Sequence, residues 1–297
     1  MRDREQQNDP LAYIDVRCLR SVCPPAPKLS VLVRVKNERL AIDRFWRQLS
    51  SQSMFLSCEV VFLDSGSTDG TLEYLMGVEA SLYQIEEQDF NFGSSCNLAI
   101  QLSKAPIVVF LSGHALLTQK EDLENMYLAL EGHRCAALYV RQIPNTVLGA
   151  NHYDEMRLAR RFPVSLHSLV RMETPGGFSN AASALTREAW EQNHFPDIHG
   201  SEDFEWAKRH LALGGSLFYL PSVQVMHSHA ESPDGVFRRV KLNLRAGGIR
   251  GSVVLAGYYF LGILIKMVLH GASPREAWQY ATAHARAYLP GGESGRR

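Results

Sequence analysis

The stretch that most constrains this chain is Val60-Val-Phe-Leu-Asp64, where a run of large apolar residues closes on an acid. A short apolar run bounded by turn residues suits a strand buried on both faces of a parallel sheet. Ser65-Gly66-Ser67-Thr68-Asp69-Gly70 follows, rich in turn formers. Asp64 is therefore expected at the carboxyl end of a strand, where open α/β sheets bind their ligands. Gly66 relaxes the backbone there, and Asp69 is expected to cap a helix starting near Thr71. An ordinary strand-to-helix turn carries the same local signature, and only the rest of the chain decides between the two.

Residues 1–27 are polar and then proline-rich (Pro24, Pro25, Pro27), and read as an extension. Leu29–Val35 is a β-branched-rich strand ending in Lys36-Asn37-Glu38. Leu40, Ile42, Phe45, Trp46 and Leu49 then recur at helical spacing. Further on come a helix near 71–77, a strand over 81–85, a helix over 93–103 and an all-apolar strand over 106–111. This alternation predicts an α/β fold, Rossmann-like, with a mostly parallel sheet and flanking helices. Ser112-Gly113-His114 stands at another carboxyl end, followed by a helix over 119–131 and a strand over 135–140 ending in Arg141-Gln142.

The pattern loosens from Gly149 to Gly177, where Met156–Arg161 reads as helix and Thr174–Gly177 as loop. A strand of small residues over 179–185 marks close approach of a ligand or another backbone. An acid-opened helix begins at Glu202-Asp203-Phe-Glu-Trp206, its carboxylates favourable at the positive helix end whatever else they do. Strands over 217–220 and 223–226 lead to His227-Ser228-His229, and the chain beyond 233 reads as helices. The expected organisation is an extension over 1–27, a main domain over 28–232 and a helical region over 233–297.

With 31 Lys and Arg against 31 Asp and Glu, the chain carries no global basic field, so a nucleic-acid partner is not expected. Five scattered cysteines suit a reducing compartment, and the polar first residues lack a secretory pattern, so the expected location is cytoplasmic. Val253–Ile265 is an apolar run too short to span a bilayer, which needs about 20 residues. Arg238, Arg239, Lys241, Arg245, Arg250 and Lys266 flank it, which favours the inner face of the cell membrane as a peripheral contact; plain core packing reads equally well.

Val35-Lys-Asn-Glu38, Asp64-Ser-Gly-Ser-Thr-Asp-Gly70, Phe90-Asn-Phe-Gly93 with Asn97, Arg141-Gln142, Arg161-Phe-Pro163, Ser179-Asn180, Glu202-Asp203-x-x-Trp206 and His227-x-His229 form an ordered series over about two-thirds of the chain. Together they resemble the family 2 glycosyltransferases of the GT-A fold, and within them bacterial rhamnosyltransferase-like enzymes of surface-polysaccharide synthesis. The resemblance implies inverting transfer of a sugar, such as the deoxyhexose rhamnose, from a dTDP- or UDP-linked donor to a glycan or lipid-linked acceptor. It implies that Asp64 reads the pyrimidine, with Asn37, Glu38, Ser65 and Asn97 also at the nucleotide. It places the base in the acid pair, as Asp203 with Glu202 positioning it or the acceptor. Arg141, at a strand's carboxyl end, is expected at the diphosphate or acceptor, and Trp206 either packs under the acceptor sugar or belongs to the core.

One departure concerns the cofactor. The family usually supplies an acid after the fourth strand to hold a divalent metal, Mn2+ or Mg2+, and this chain has His114 there. Imidazole is a poor ligand for Mg2+ and a good one for Mn2+. His114 and His229 are the expected metal ligands; the alternative is that His114 is only a hydrogen-bonding loop residue. The loose stretch 160–178 is expected to close over the donor. A catalytically silent nucleotide-sugar-binding or scaffold protein and a sugar-phosphate nucleotidyltransferase are the competing functions, although Arg34–Glu38 lacks the glycines the latter needs.

Overall fold

The computed structural model describes residues 14–132, 135–198, 200–246 and 249–289. The chain divides into two compact units: residues up to Gln142 with Phe162–His227, and Ile143–Arg161 with the chain from Ser228 onward. A segment assigned to the extension, β1 (Arg17–Arg20), is an edge strand of the sheet, antiparallel to β4 (Ser81–Gln84).

In the first unit, β2 (Leu29–Val35), β3 (Cys58–Asp64), β4 and β5 (Ile107–Leu111) form a parallel nucleus in the order β4-β3-β2-β5. Helices α1 (Arg39–Ser50), α2 (Thr71–Leu75) and α3 (Phe92–Gln101) supply the crossovers that parallel pairing requires. Every residue of β3 is buried, as its sequence predicts. Val31, Val33 and Val35 of β2 share a core with Ile42, Phe45 and Leu49 of α1, while Arg34, on the other face, reaches the Phe92 carbonyl of α3. The chain runs outward from β2 through β3 to β4, then returns to the far side of β2 as β5. That reversal makes a topological switch point, and the crevice at the carboxyl ends of β2 and β5 is where such sheets take ligands.

The remaining strands are β6 (Leu116–Leu117), β7 (Ala137–Ile143), β8 (Val170–Met172), β9 (Ala182–Thr186) and β10 (Leu217–Met226). β5–β9, β7–β9, β6–β10 and β8–β10 all pair antiparallel, so the ten-stranded sheet is mixed. An apolar run reports burial on both faces and carries no direction. β9 is almost wholly buried and antiparallel to both neighbours. Helices α4 (Asp122–Gly132), α6 (Arg187–Gln192) and α7 (Glu202–Ala212) complete this unit.

The second unit is helical: α5 (His152–Arg161), α8 (Pro233–Ala246), α9 (Val253–Leu269) and α10 (Pro274–Tyr288). Tyr153, Met156, Val236, Val240, Ile263, Met267, Ala277 and Tyr280 are among the side chains of its core. Ser252 and Ser273 cap α9 and α10 by accepting from the Leu255 and Glu276 amides, and Pro274 suits the first helical position. Among the described residues no helix is long and apolar enough to cross a membrane.

Candidate active site at the sheet switch point

Parallel register sets Asp64 beside Val35, the last residue of β2. The Asp64 side chain is fully buried. Its Oδ1 accepts from the Gly66 and Ser67 amides, each at 3.1 Å, and from Gln84 Nε2 at 3.3 Å. Its Oδ2 has no hydrogen-bond partner among the described residues, a costly state for a buried carboxylate oxygen. Gly66 takes φ +83°, which lets the turn fold back onto the acid. The Ser65 hydroxyl is turned inward to the Val35 carbonyl, 3.3 Å away, and fastens β2 to β3.

The loops after β2 and β3 are laced together. Asn37, at φ +55°, accepts from the Thr68 amide at 2.8 Å and donates its own N–H to Ser67 Oγ at 3.0 Å. Glu38 donates its N–H to Thr71 Oγ1, and Asp69 accepts from the Arg39 amide. The cap of α2 is Gly70 in the left-handed region, not Asp69, although Asp69 also accepts from the Thr71 amide.

Across the switch point, the Glu38 carboxylate meets His114 Nδ1 at 2.8 Å. His114 stacks on His227, ring centroids 5.0 Å apart and planes 18° from parallel. His227 Nδ1 lies 2.9 Å from Gln142 Oε1. A histidine that donates Nδ1–H to such an oxygen can offer Nε2 to a metal, the arrangement of metal-ligating histidines backed by an oxygen acceptor. His229 follows two residues on along the chain, where the second unit has begun. Imidazole fits a transition-metal ion better than Mg2+. Sequence reading pairs His114 with one histidine of the His227–His229 pair and prefers His229; His227 is the ring that stacks on His114.

The acid pair opens α7. Glu202 is buried and forms an ion pair with Arg34 of β2 at 3.3 Å. Burial pushes its carboxyl above the usual range, Arg34 opposes this, and the neighbouring Asp203 charge adds to it. Asp203 is half-buried, its Oδ2 accepting from the Asn180 amide at 3.3 Å and its Oδ1 from the Phe204 amide at 2.7 Å. Arg34 thus ties the acid pair to the strand that carries Asn37 and Glu38.

Two expected contact residues turn out to be built into the frame. Asn97 is buried, with Nδ2 donating to the Phe195 carbonyl and Oδ1 accepting from the Phe195 amide and Trp190 Nε1, at 2.8–2.9 Å. Trp206 is wholly buried between Phe178 and Phe195, and its indole N–H donates to the Asn193 carbonyl. The polar atoms of both side chains bond to other parts of the chain. They hold the 193–196 segment that leads toward α7. Gly93 belongs to the same clamp, since a Cβ there would sit 1.7 Å from the Pro196 carbonyl oxygen, and Asn91 caps α3 beside it. Arg141 on β7 is half-buried, its Nε without a partner among the described residues. Within the expected lid, β8 pairs with β10 and Phe178 is buried, so that stretch is anchored at both points.

The model of glycosyl transferase family 2 matches residues 30–192. Among curated proteins, the O-antigen chain rhamnosyltransferase RfbN of Salmonella typhimurium is 29% identical over 197 residues, which take in 61% of this chain and 60% of the relative's length. The O-antigen chain rhamnosyltransferase WbaN of Salmonella anatum is 25% identical over 228 residues, 72% of this chain and 70% of that protein. Among solved structures, the mannosyltransferase PcManGT of Pyrobaculum calidifontis, in complex with GDP-Man and Mn2+, superposes with a TM-score of 0.57 at 20% identity, covering 89% of this chain and 72% of that one. S. aureus TarS gives 0.53 at 18% identity, covering 72% and 38%. Those two likenesses concern the fold, which is the GT-A fold expected from the sequence. A family match over more than half of the residues, on a sheet whose switch point gathers the motif side chains, gives the conclusion that this chain belongs to glycosyl transferase family 2.

Proposed function

We propose that the chain transfers a sugar, a deoxyhexose such as rhamnose, with inversion from a dTDP- or UDP-linked donor to a glycan or lipid-linked acceptor in bacterial surface-polysaccharide synthesis. The observation that carries this reading is Asp64: a buried carboxylate at the switch point with one oxygen held by three donors and the other without a partner among the described residues. A pyrimidine imide N–H offers the donor that the second oxygen lacks. Asn37 and Glu38, at the rim of the same crevice, are assigned to the nucleotide in this reading.

Asp203 is the proposed base. It takes the proton of an acceptor hydroxyl as that oxygen bonds to the anomeric carbon and the carbon–phosphate-oxygen bond breaks, releasing the nucleoside diphosphate. A carboxylate has about four acceptor positions, so the Asn180 and Phe204 amides orient it and leave capacity for the incoming hydroxyl. Glu202, paired with Arg34, positions Asp203 and does not touch the reacting atoms in this reading. A divalent ion would be held by His114 with one histidine of the His227–His229 pair and would offset the charge of the departing diphosphate. Arg141, with its unpartnered Nε, is assigned to the same diphosphate. Expected location is the cytoplasmic side of the cell membrane.

Thermal-shift titration with dTDP, UDP and GDP, each with and without Mn2+, tests the donor reading, because a ligand of the folded state raises its stability. Stabilisation by a pyrimidine nucleotide, strengthened by Mn2+ and lost in His114→Ala, is expected. Stabilisation by GDP alone overturns the pyrimidine assignment, and full turnover in EDTA overturns the metal. Nucleotide binding with no transfer to any acceptor would leave the catalytically silent binder.

A further inference from the structure

Helix α9 has two sides that differ in partner and not in polarity. Ala256, Ile263 and Met267 are buried in the core of the helical unit. Opposite them, Val253, Val254, Tyr258, Leu261, Ile265, Val268 and Leu269 are each 50–81% exposed. Wound at about 100° per residue, these positions fill an unbroken arc of roughly 160° along the whole helix. No charged side chain interrupts it; Lys266 lies beyond its edge. Trp278 of α10, 58% exposed and packed edge-on against Phe260, is a further apolar group exposed on this unit. A monomer ordinarily leaves no more than a few hundred Å² of contiguous apolar surface, and an arc of seven large side chains is of that order or beyond it.

The charge distribution identifies the occupant. Between residues 233 and 289 the chain has eight Lys and Arg (Arg238, Arg239, Lys241, Arg245, Arg250, Lys266, Arg275, Arg286) against Asp234 and Glu276, although the chain as a whole is neutral. Arg238, Arg250, Lys266, Arg275 and Arg286 are exposed. An apolar helix face accompanied by basic residues and free of acids matches a surface that is apolar beneath and anionic above. Pairing with a second copy of this chain would instead bring two basic margins together without an acid to meet them.

We propose that the helical unit docks on an anionic lipid bilayer, with α9 lying in the plane of the interface and its Val254–Tyr258–Leu261–Ile265–Leu269 side in the acyl boundary. This inference stands apart from the sugar-transfer reading. Its test needs neither donor nor acceptor, so failure of one leaves the other in place.

The test is flotation of the full chain with vesicles of phosphatidylcholine alone and with roughly one-third phosphatidylglycerol added. At least about tenfold more protein is expected on the anionic vesicles, falling as salt is raised. Leu261→Asp with Ile265→Asp is expected to abolish flotation while circular dichroism and the thermal midpoint stay near wild type, because both side chains are exposed. Leu56→Asp, an exposed leucine of the sheet unit, serves as control and is expected to float normally. Equal binding to both vesicles would remove the anionic-lipid assignment. Absence of flotation, or a wild-type dimer in light scattering that the double substitution makes monomeric, would assign the face to a protein partner and overturn the proposal.

Discussion

Strand β3 and helix α9 are both written in apolar residues, yet the first is buried at every position and the second leaves half of its apolar side chains outside. β3 sits between two parallel neighbours with helices packed over the sheet, so the chain itself covers each side chain. α9 has its partners among the described residues of its unit on one side, chiefly α10 with α5 beside it. Composition therefore states how much apolar surface a segment carries, and the neighbours decide how much is withdrawn from water. The polar groups differ in the same way. In the sheet unit they meet at strand ends and fix one another, whereas in the helical unit the exposed basic groups accompany an apolar arc.

The largest effect expected from breaking this contrast is at the strand-end machinery. Asp203→Asn should lose about 10²- to 10⁴-fold in turnover while nucleotide binding and the thermal midpoint hold; steady-state rates beside a binding titration check it, and near-normal turnover would remove Asp203 as the base. Next comes a test confined to the helical unit. Burial and the nearby Arg239 charge push His284 down to about 4 from the ordinary 6.5, with its ring against Tyr259 and Tyr288. A depressed histidine favours folding while neutral. Its contribution is thus complete above about pH 6.5 and lost as pH falls toward 4, to a total of about 3 kcal/mol. Amide exchange should accordingly quicken in α9 and α10 on acidification before it does in β2 and β3, and His284→Gln should flatten that dependence. Smallest is Gly93→Ala, where displacing the Pro196 carbonyl should cost about 1–3 kcal/mol in a denaturant melt and lower turnover as well. An unchanged melt would mean the 193–196 segment is not clamped there.

Much of the parallel nucleus was legible because crossover helices and apolar strands alternate through residue 111, and strand ends then locate Asp64, Asn37, Glu38 and His114 together. Pairing direction beyond β5 was not, since β9 looks the same whichever way its neighbours run. Residue types also understate how a polar group is used. Asn97 and Trp206 belong to the motif series, but whether an amide or indole faces a ligand or a loop carbonyl depends on partners outside the motif, 98 residues away for Asn97 and 13 for Trp206. The choice within the His227–His229 pair was open for a related reason: a His-x-His pair does not state which ring stacks on a partner more than a hundred residues upstream.

The Asn97 amide brings a consequence for reading variants of this protein. With its nitrogen and oxygen both engaged by Phe195, an aspartate of the same shape would set an acceptor against a carbonyl oxygen and slacken the stretch that leads toward Asp203. Inactive alleles in a mutational survey are accordingly expected at Asn97, Gly93 and Trp190, whose contacts among the described residues are with the chain itself, and silence alone will not distinguish a tool from its handle.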